Sequence, residues 1–322
     1  MPGWMKKLDP LIVLILCAVA VAIVFPARGQ FADSFSLATK LSVALLFFLY
    51  GARLSPQEAL AGVKHWRLHV TILAFTFVVF PLIGLALKPV EAVFGHELYL
   101  GILYLTLVPS TVQSSVAFTG IAKGNVAGAI VSASASNLLG VVLTPLLVML
   151  TMSHGQGGVH LSGSVFVDIA IQLLLPFVLG QAARRWVAGI AANKATKIVD
   201  RGSITMVVYS AFSAGMVEGI WSRVNAWTIL GLIACSIILV AFMLWLTRAV
   251  ALRLGFNQPD MKAIQFCGTK KSLATGLPMA AVIFGGGSLG LLILPLMIFH
   301  QIQLMMCAVL ASRYAATPAT NQ

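Results

Sequence analysis

Charge is scarce in this chain: 9% of its 322 residues are Asp, Glu, Lys or Arg, while 59% are hydrophobic and the mean hydropathy is +0.97. An ordinary globular domain, whose apolar share is nearer half, is excluded, and the chain is assigned to a membrane. Carboxylates are scarcer still, with nine Asp and Glu against 21 Lys and Arg, a net charge of +12. In a soluble protein that excess would suggest a nucleic-acid partner. Here the basic residues cluster between hydrophobic runs, where they encode topology, so nucleic acid is excluded. The four cysteines, Cys17, Cys235, Cys267 and Cys307, lie in apolar segments without C-x-x-C spacing. That leaves neither a disulfide framework nor a thiolate metal site, only core packing. H-E-x-x-H and P-loop motifs are missing, which removes a metalloprotease and an ATP-driven pump. Formal matches to G-x-S-x-G and G-x-G-x-x-G at Gly285 to Gly290 follow an apolar helix rather than a strand, so they reflect glycine content. No catalytic constellation remains, and the chain is not expected to be an enzyme.

Long apolar runs are what the chain does have. Segments long enough to span a bilayer fall near residues 10 to 26, 35 to 54, 68 to 87, 98 to 122, 124 to 152, 163 to 186, 202 to 219, 225 to 250, 261 to 284 and 288 to 312. The second is interrupted by Lys40. Lys6 and Lys7 before Leu11 to Phe25 resemble a signal peptide with a cleavage site at Ala27, but this run has a counterpart later in the chain and is read as the first span. Ten spans put both termini on one side. With the N-terminus in the cytoplasm, only Arg28, Lys40, Lys88 and Arg223 of the 21 basic residues fall outside, besides two lysines within a span. The positive-inside rule is satisfied, and it indicates a bacterial inner membrane.

The two halves echo one another. Asp9 matches Asp168, Thr71-Ile72-Leu73 matches Thr228-Ile229-Leu230, and Gly124 to Gly128 matches Gly286 to Gly290, at offsets of about 157 to 162 residues. Five spans per half force the second half to cross in the opposite sense. Residues 1–160 and 161–322 are therefore read as two inverted five-helix repeats, an arrangement of secondary transporters, which bind substrate near the midplane.

Span four carries Pro109 near its centre, then Ser110, Thr111, Gln113, Ser114 and Ser115; span nine carries Gly268-Thr269-Lys270-Lys271-Ser272. Proline breaks the helix, and the polar run can satisfy freed backbone or bind solute. A shift of about 157 residues superimposes the two interruptions. Half-helices starting after such breaks would aim N–H groups at the midplane. Adjacent lysines in mid-span cost about 2.5 to 3.5 kcal/mol each on the gentlest scale, so they are expected to meet an anion in a protein interior. The bland alternatives are a simple kink and lysines reaching for an interface. Asn137 and Ser134 in span five, Gln172 in span six, and His300 with Gln303 on one face of span ten are further polar candidates. His154 and His160 flank an outer loop, where solvated histidines are the default.

The serine-rich break of span four after Pro109, the Gly124-Asn125-Val126 start of span five and the G-x-x-x-S pattern of span nine resemble the bile acid:sodium symporter family. Phe266-Cys267-Gly268 with Lys271-Ser272-Leu273 and Gly276-x-Pro278 is most similar to the orphan branch that includes the seventh human bile-acid carrier. The resemblance implies a panel domain of spans one, two, six and seven, a core of spans three to five and eight to ten, and crossing broken helices four and nine. Carried over residue by residue, the family's sodium ligands fall on Ser114 and Ser115, on Ala129 and Ala133, on Thr76, and on Phe266, Lys270 and Lys271. The carboxylate is gone and two ammonium groups are present, leaving Ser114, Ser115 and Thr76 as a candidate residual cation site. A lysine filling the cation's place would make a proton the coupling ion; sodium is the family's alternative.

These readings predict an all-α polytopic membrane protein that transports a small organic anion by alternating access, with no cofactor beyond Na+ or H+ as coupling ion. The expected site comprises Gln113, Ser114, Ser115, Asn137, Thr269, Lys270, Lys271, Ser272, His300 and Gln303. Two other classes compete: a non-transporting membrane regulator or scaffold retaining the fold, and a channel. Saturable uptake driven uphill by an ion gradient separates the carrier from both.

Overall fold

In hydrocarbon no water is present to pair an exposed peptide group, so a long apolar run folds as a helix that satisfies its own backbone. The computed structural model describes residues 10–53, 65–152, 170–193, 195–219, 221, 224–284 and 289–316, and all regular structure among them is helical. The helices are α1 (Pro10–Val24), α2 (Gly29–Arg53), α3 (Trp66–Ala86), α4 (His96–Leu107), α5 (Gln113–Ile121), α6 (Val126–Met152), α7 (Leu175–Ala182), α8 (Arg184–Ala191), α9 (Thr196–Val217), α10 (Ala226–Arg253), α11 (Gln258–Thr269), α12 (Leu273–Phe284) and α13 (Leu289–Ala316). Lys6, Lys7, Asp9, His154, His160, Asp168 and Gly285 to Gly287 lie outside the described residues.

The second apolar run begins earlier than its composition suggests. Gln30, Asp33 and Ser34 dilute the first turns of α2, yet the helix starts at Gly29 and runs through Lys40, whose side chain is exposed. Prolines leave a different mark. A π-turn at Phe75–Val79 precedes Pro81 in α3, and another at Ala170–Leu174 precedes Pro176 in α7. Proline lacks an N–H and its ring crowds the carbonyl four residues back, so a widened turn there relieves the clash.

Large apolar side chains face outward: Leu41 is 64% exposed, Ile238 68% and Trp227 81%, whereas Lys270, Lys271 and Gln303 are each 0% exposed. A water-soluble fold would reverse that order; a protein dissolved in lipid requires it. Among the described residues five helices, α2, α3, α6, α10 and α13, are long and apolar enough to cross a membrane, and α1 and α7 contribute shorter apolar stretches.

The chain divides into two compact units. One draws on residues 1–54, 160–224 and 277–291. In it α2 packs on α7, α8 and α9, and α1 on α9. Gly51 and Gly180 lie so close to the backbones at Phe177 and Phe48 that neither position has room for a Cβ, the small-residue device by which membrane helices approach. Arg53 fastens the end of α2, donating to Asp200 Oδ2 at 2.7 Å, Thr196 Oγ1 at 2.8 Å and Ala191 O at 2.8 Å.

The other unit draws on residues 55–159, 225–276 and 292–322. Here α11 packs against α3, α5, α6 and α10. Two asparagine caps lock the start of α6 to the start of α11. Asn125 Oδ1 accepts from Gly128 N and Asn257 Oδ1 from Asp260 N, while Asn125 Nδ2 donates to Asp260 Oδ1 at 2.6 Å and Asn125 N to Pro259 O at 2.9 Å. With one end fixed, α11 runs inward to the residues of the candidate site.

Candidate functional site

Helical hydrogen bonding is interrupted within two apolar runs of this second unit, between α4 and α5 and between α11 and α12, at residues where local chemistry disfavours it. α4 ends at Leu107, and Val108 is extended (φ −74°, ψ 156°) because the following Pro109 disfavours a helical residue before it. The helix resumes at Gln113. α11 ends at Thr269 without a proline; Gly268 weakens the last turn, and Lys270 is extended (φ −90°, ψ 149°). Ser272 then caps α12, its Oγ accepting from Thr275 N at 3.2 Å.

Backbone groups freed at such depth must find partners, and the two interruptions supply them to each other. Ser110 Oγ donates to Cys267 O at 2.6 Å, Ser272 N to Pro109 O at 2.8 Å, and Ser115 Oγ lies 3.5 Å from Phe266 O. α6 serves the first interruption: Ser136 Oγ accepts from Ser110 N at 3.0 Å, Asn137 Nδ2 donates to Ser110 O at 2.7 Å, and Thr144 Oγ1 to Leu107 O at 2.9 Å. Thr275 Oγ1 donates to Asn137 Oδ1 at 2.7 Å and Tyr104 OH to Gly276 O at 2.7 Å. α13 serves the second. The Gln303 amide brackets the Lys271 peptide, accepting from its N–H and donating to its carbonyl, both at 2.8 Å. Gln303 Nε2 also lies 2.9 Å from His300 Nδ1, which stands 3.4 Å from Lys271 O. Gly140 lets α6 come this close, since a Cβ there would sit 2.7 Å from the Pro109 ring.

The two lysines diverge, as neighbours in extended backbone do. Lys271 Nζ donates to Thr76 O at 2.8 Å, Thr106 O at 2.7 Å and Val108 O at 2.9 Å, and lies 4.3 Å from the centroid of the Phe80 ring. Lys270 Nζ lies 3.8 Å from the centroid of the Phe118 ring and has no hydrogen-bond partner among the described residues. Among the described residues no carboxylate forms an ion pair with either; the ion pairs are Arg53–Asp200 and His96–Glu91.

Of the residues expected from the sequence, Ser115, Asn137, Lys271, Ser272, His300 and Gln303 join this network directly. Ser114 joins through Thr111, whose hydroxyl is 2.8 Å from those of both Ser114 and Ser115. The Thr269 hydroxyl lies 3.3 Å from that of Thr247 on α10. Gln113 is exposed at the start of α5. Thr76 contributes its carbonyl rather than its hydroxyl, which donates back to Ile72 O at 2.9 Å. Sequence reasoning missed Ser136, Thr275, Tyr104, Phe80 and Phe118. Ser272 is a preferred N-cap residue, but nothing in the sequence singles out Thr275, and two phenylalanines among 18 carry no signal.

Comparison with known proteins points to one transporter family. A family model described as the SBF-like CPA transporter family matches residues 9–316. An uncharacterized protein of Pseudomonas aeruginosa, PA2026, is 50% identical over 95% of this chain and 93% of its own length. The putative symporter YfeH of Escherichia coli is 48% identical over 96% of this chain and 93% of its own. Sodium/bile acid cotransporter 7 of Rattus norvegicus is 32% identical, covering 84% of this chain and 81% of its own. With outward-facing apolar helices and a match along nearly its whole length, the chain is an integral membrane protein that belongs to the SBF-like CPA transporter family, within the bile acid:sodium symporter group.

Proposed function

We propose that this protein is a secondary active carrier of a small organic anion and that the Lys270 ammonium receives the anion's charged group. One observation carries the reading: among the described residues Lys270 Nζ is buried without a hydrogen-bond acceptor, and it stands over the Phe118 ring. An ammonium has three donors, and leaving them unmet in a water-poor interior costs several kcal/mol, roughly. A carboxylate or sulfate arriving beside it would supply the missing acceptors. The hydroxyls of Thr111, Ser114 and Ser115, already paired among themselves at 2.8 Å, are the polar groups for the rest of the substrate head. The names of relatives, a putative symporter and a sodium/bile acid cotransporter, favour bile acids as the class, and steroid conjugates or small carboxylates carry the same kind of anionic head.

In this reading ten spans form two inverted repeats, residues 1–160 and 161–322, and a panel of spans one, two, six and seven works beside a core of the remainder. The separation into two contact units supports a panel and a core. The interruptions support the inversion. Ser110 and Cys267, bonded to each other, are 157 residues apart. At that same offset Pro109 corresponds to Phe266 and Ser115 to Ser272, so the Ser272–Pro109 and Ser115–Phe266 contacts exchange with one another. Contacts that map onto themselves are what a two-fold axis between repeats produces. Alternating access then consists of core and panel moving about spans four and nine. The charge bias supports cytoplasmic termini in a bacterial inner membrane.

Proteoliposomes test this with a panel of labelled organic carboxylates and sulfates under separate sodium and proton gradients. Saturable, uphill uptake is expected. Lys270→Gln should weaken apparent affinity by about 30-fold or more, with Lys270→Arg retaining most of it. Uptake in Lys270→Gln indistinguishable from wild type would remove Lys270 from the site, and uptake that never exceeds equilibrium would remove the carrier.

A further inference from the structure

Lys271 makes a different arrangement from its neighbour. Its three donors meet three backbone carbonyls at 2.7 to 2.9 Å, the full complement of a protonated amine and one more than a neutral amine can donate to. The oxygens have distinct origins. Thr76 O comes from the π-turn of α3, and Thr106 O and Val108 O from the C-terminal end of α4, where unpaired carbonyls and the helix dipole both favour positive charge. The Phe80 ring closes a further side. A group of inward-aimed carbonyl oxygens with no carboxylate is a receptor for one monovalent positive charge.

Relatives named for sodium raise the question of whether that ion fits. At the positions onto which the family's sodium ligands carry over, Ala129, Ala133 and Phe266 offer no side-chain oxygen, the Thr76 hydroxyl is turned to Ile72 O, and the Ser114 and Ser115 hydroxyls are each paired with Thr111 at 2.8 Å. The backbone oxygens of Thr76, Thr106 and Val108 converge on Lys271 Nζ. A resident sodium does not fit here.

We infer that Lys271 is a tethered cation, its ammonium permanently holding the place of a dissociable monovalent ion and joining α3 and α4 to the second interruption. The consequence for coupling, that no sodium enters or leaves at this point during transport, rests on the carrier reading; the occupancy itself does not. A lysine present only to reach an interface would leave its charge near water, and this one is 0% exposed with every donor satisfied.

Thermal unfolding of the purified, detergent-solubilised protein tests the occupancy without any transport measurement. Sodium chloride is exchanged for N-methylglucamine chloride at constant ionic strength. The wild-type midpoint is expected to be flat across the exchange. Lys271→Ala deletes the equivalent of propylammonium, so its midpoint should fall by about 5–10 °C and recover saturably with added propylammonium or sodium. Propanol, the neutral analogue, should not restore it. Saturable stabilisation of the wild type by sodium overturns the inference, as does a Lys271→Ala midpoint that no cation moves or that propanol restores equally. If that variant does not fold, the wild-type sodium titration still decides. A flat wild-type titration with no uptake in proteoliposomes would sink the carrier reading alone, whereas uptake with saturable sodium stabilisation would sink the tethered cation alone.

Discussion

The ammonium of Lys271 ends among three carbonyl oxygens, whereas that of Lys270, one residue earlier on the same extended backbone, ends against an aromatic ring with no acceptor. Burial is the same for both; satisfaction is not. The first arrangement is complete in the protein alone, and a group that needs nothing more stabilises. The second is incomplete, and a buried charge kept incomplete makes sense where something transient completes it. Under the proposed function two adjacent lysines divide the work of the site, one holding the interruptions in place and the other awaiting a substrate.

Methionine at each position, matching the length of the lysine stem, gives the widest separation between the two roles. Lys271→Met leaves three buried carbonyls short of donors and is expected to lower unfolding free energy by about 3–5 kcal/mol. Lys270→Met removes an unpaired charge and should leave stability within about 1 kcal/mol of wild type or above it, while abolishing anion uptake. Denaturant or thermal unfolding in detergent reads the first effect and proteoliposome uptake the second. Equal losses of stability would erase the distinction. Gln303→Leu comes next, because the amide brackets the peptide from which both side chains depart. Its loss should cost about 2–3 kcal/mol and weaken uptake, since Lys270 would no longer be held in one orientation.

Much of this was legible before any coordinates. Pro109 and the polar residues after it announced one interruption, and Gly268 to Ser272 announced the other, because proline geometry and the cost of charge in hydrocarbon are local properties of sequence. The near-match between helices and apolar runs has the same origin. What stayed hidden was the separation of Lys270 from Lys271. It follows from extended backbone between α11 and α12, where successive side chains point opposite ways, and in a helix the pair would have diverged by far less. The carbonyls of Thr76, Thr106 and Val108 were hidden for another reason: every residue has a carbonyl, and only tertiary structure says which are free. Thr76 shows the hazard, as its hydroxyl drew attention while its backbone oxygen makes the contact.

Phe118 and Phe80 extend the comparison to the rings. Phe118→Leu removes the ring contact that favours the Lys270 charge, worth about 1–2 kcal/mol when desolvated. Because an unpaired ammonium gains most from that ring when no anion is present, the variant should be destabilised more in the absence of substrate than with it, as read by thermal shift with and without a transported anion. Phe80→Leu, beside a lysine whose donors are already met, should be insensitive to the anion.

The smallest effect belongs to the hydroxyls that join the interruptions. Ser110 Oγ donates to Cys267 O at 2.6 Å, whereas Ser115 Oγ stands 3.5 Å from Phe266 O, at the outer limit of a hydrogen bond. Ser110→Ala leaves a helix-terminal carbonyl buried and unpaired and should cost about 1–2 kcal/mol. Ser115→Ala gives up a weak contact and should cost about 0.5 kcal/mol or less, yet its hydroxyl also pairs with Thr111 on the side of the break assigned to substrate. If that assignment holds, Ser115→Ala reduces anion affinity severalfold at nearly unchanged stability, and Ser110→Ala does the reverse. Loss of stability and loss of uptake moving in parallel in both variants would mean that the hydroxyls, unlike the two lysines, are not divided between holding the structure and binding the solute.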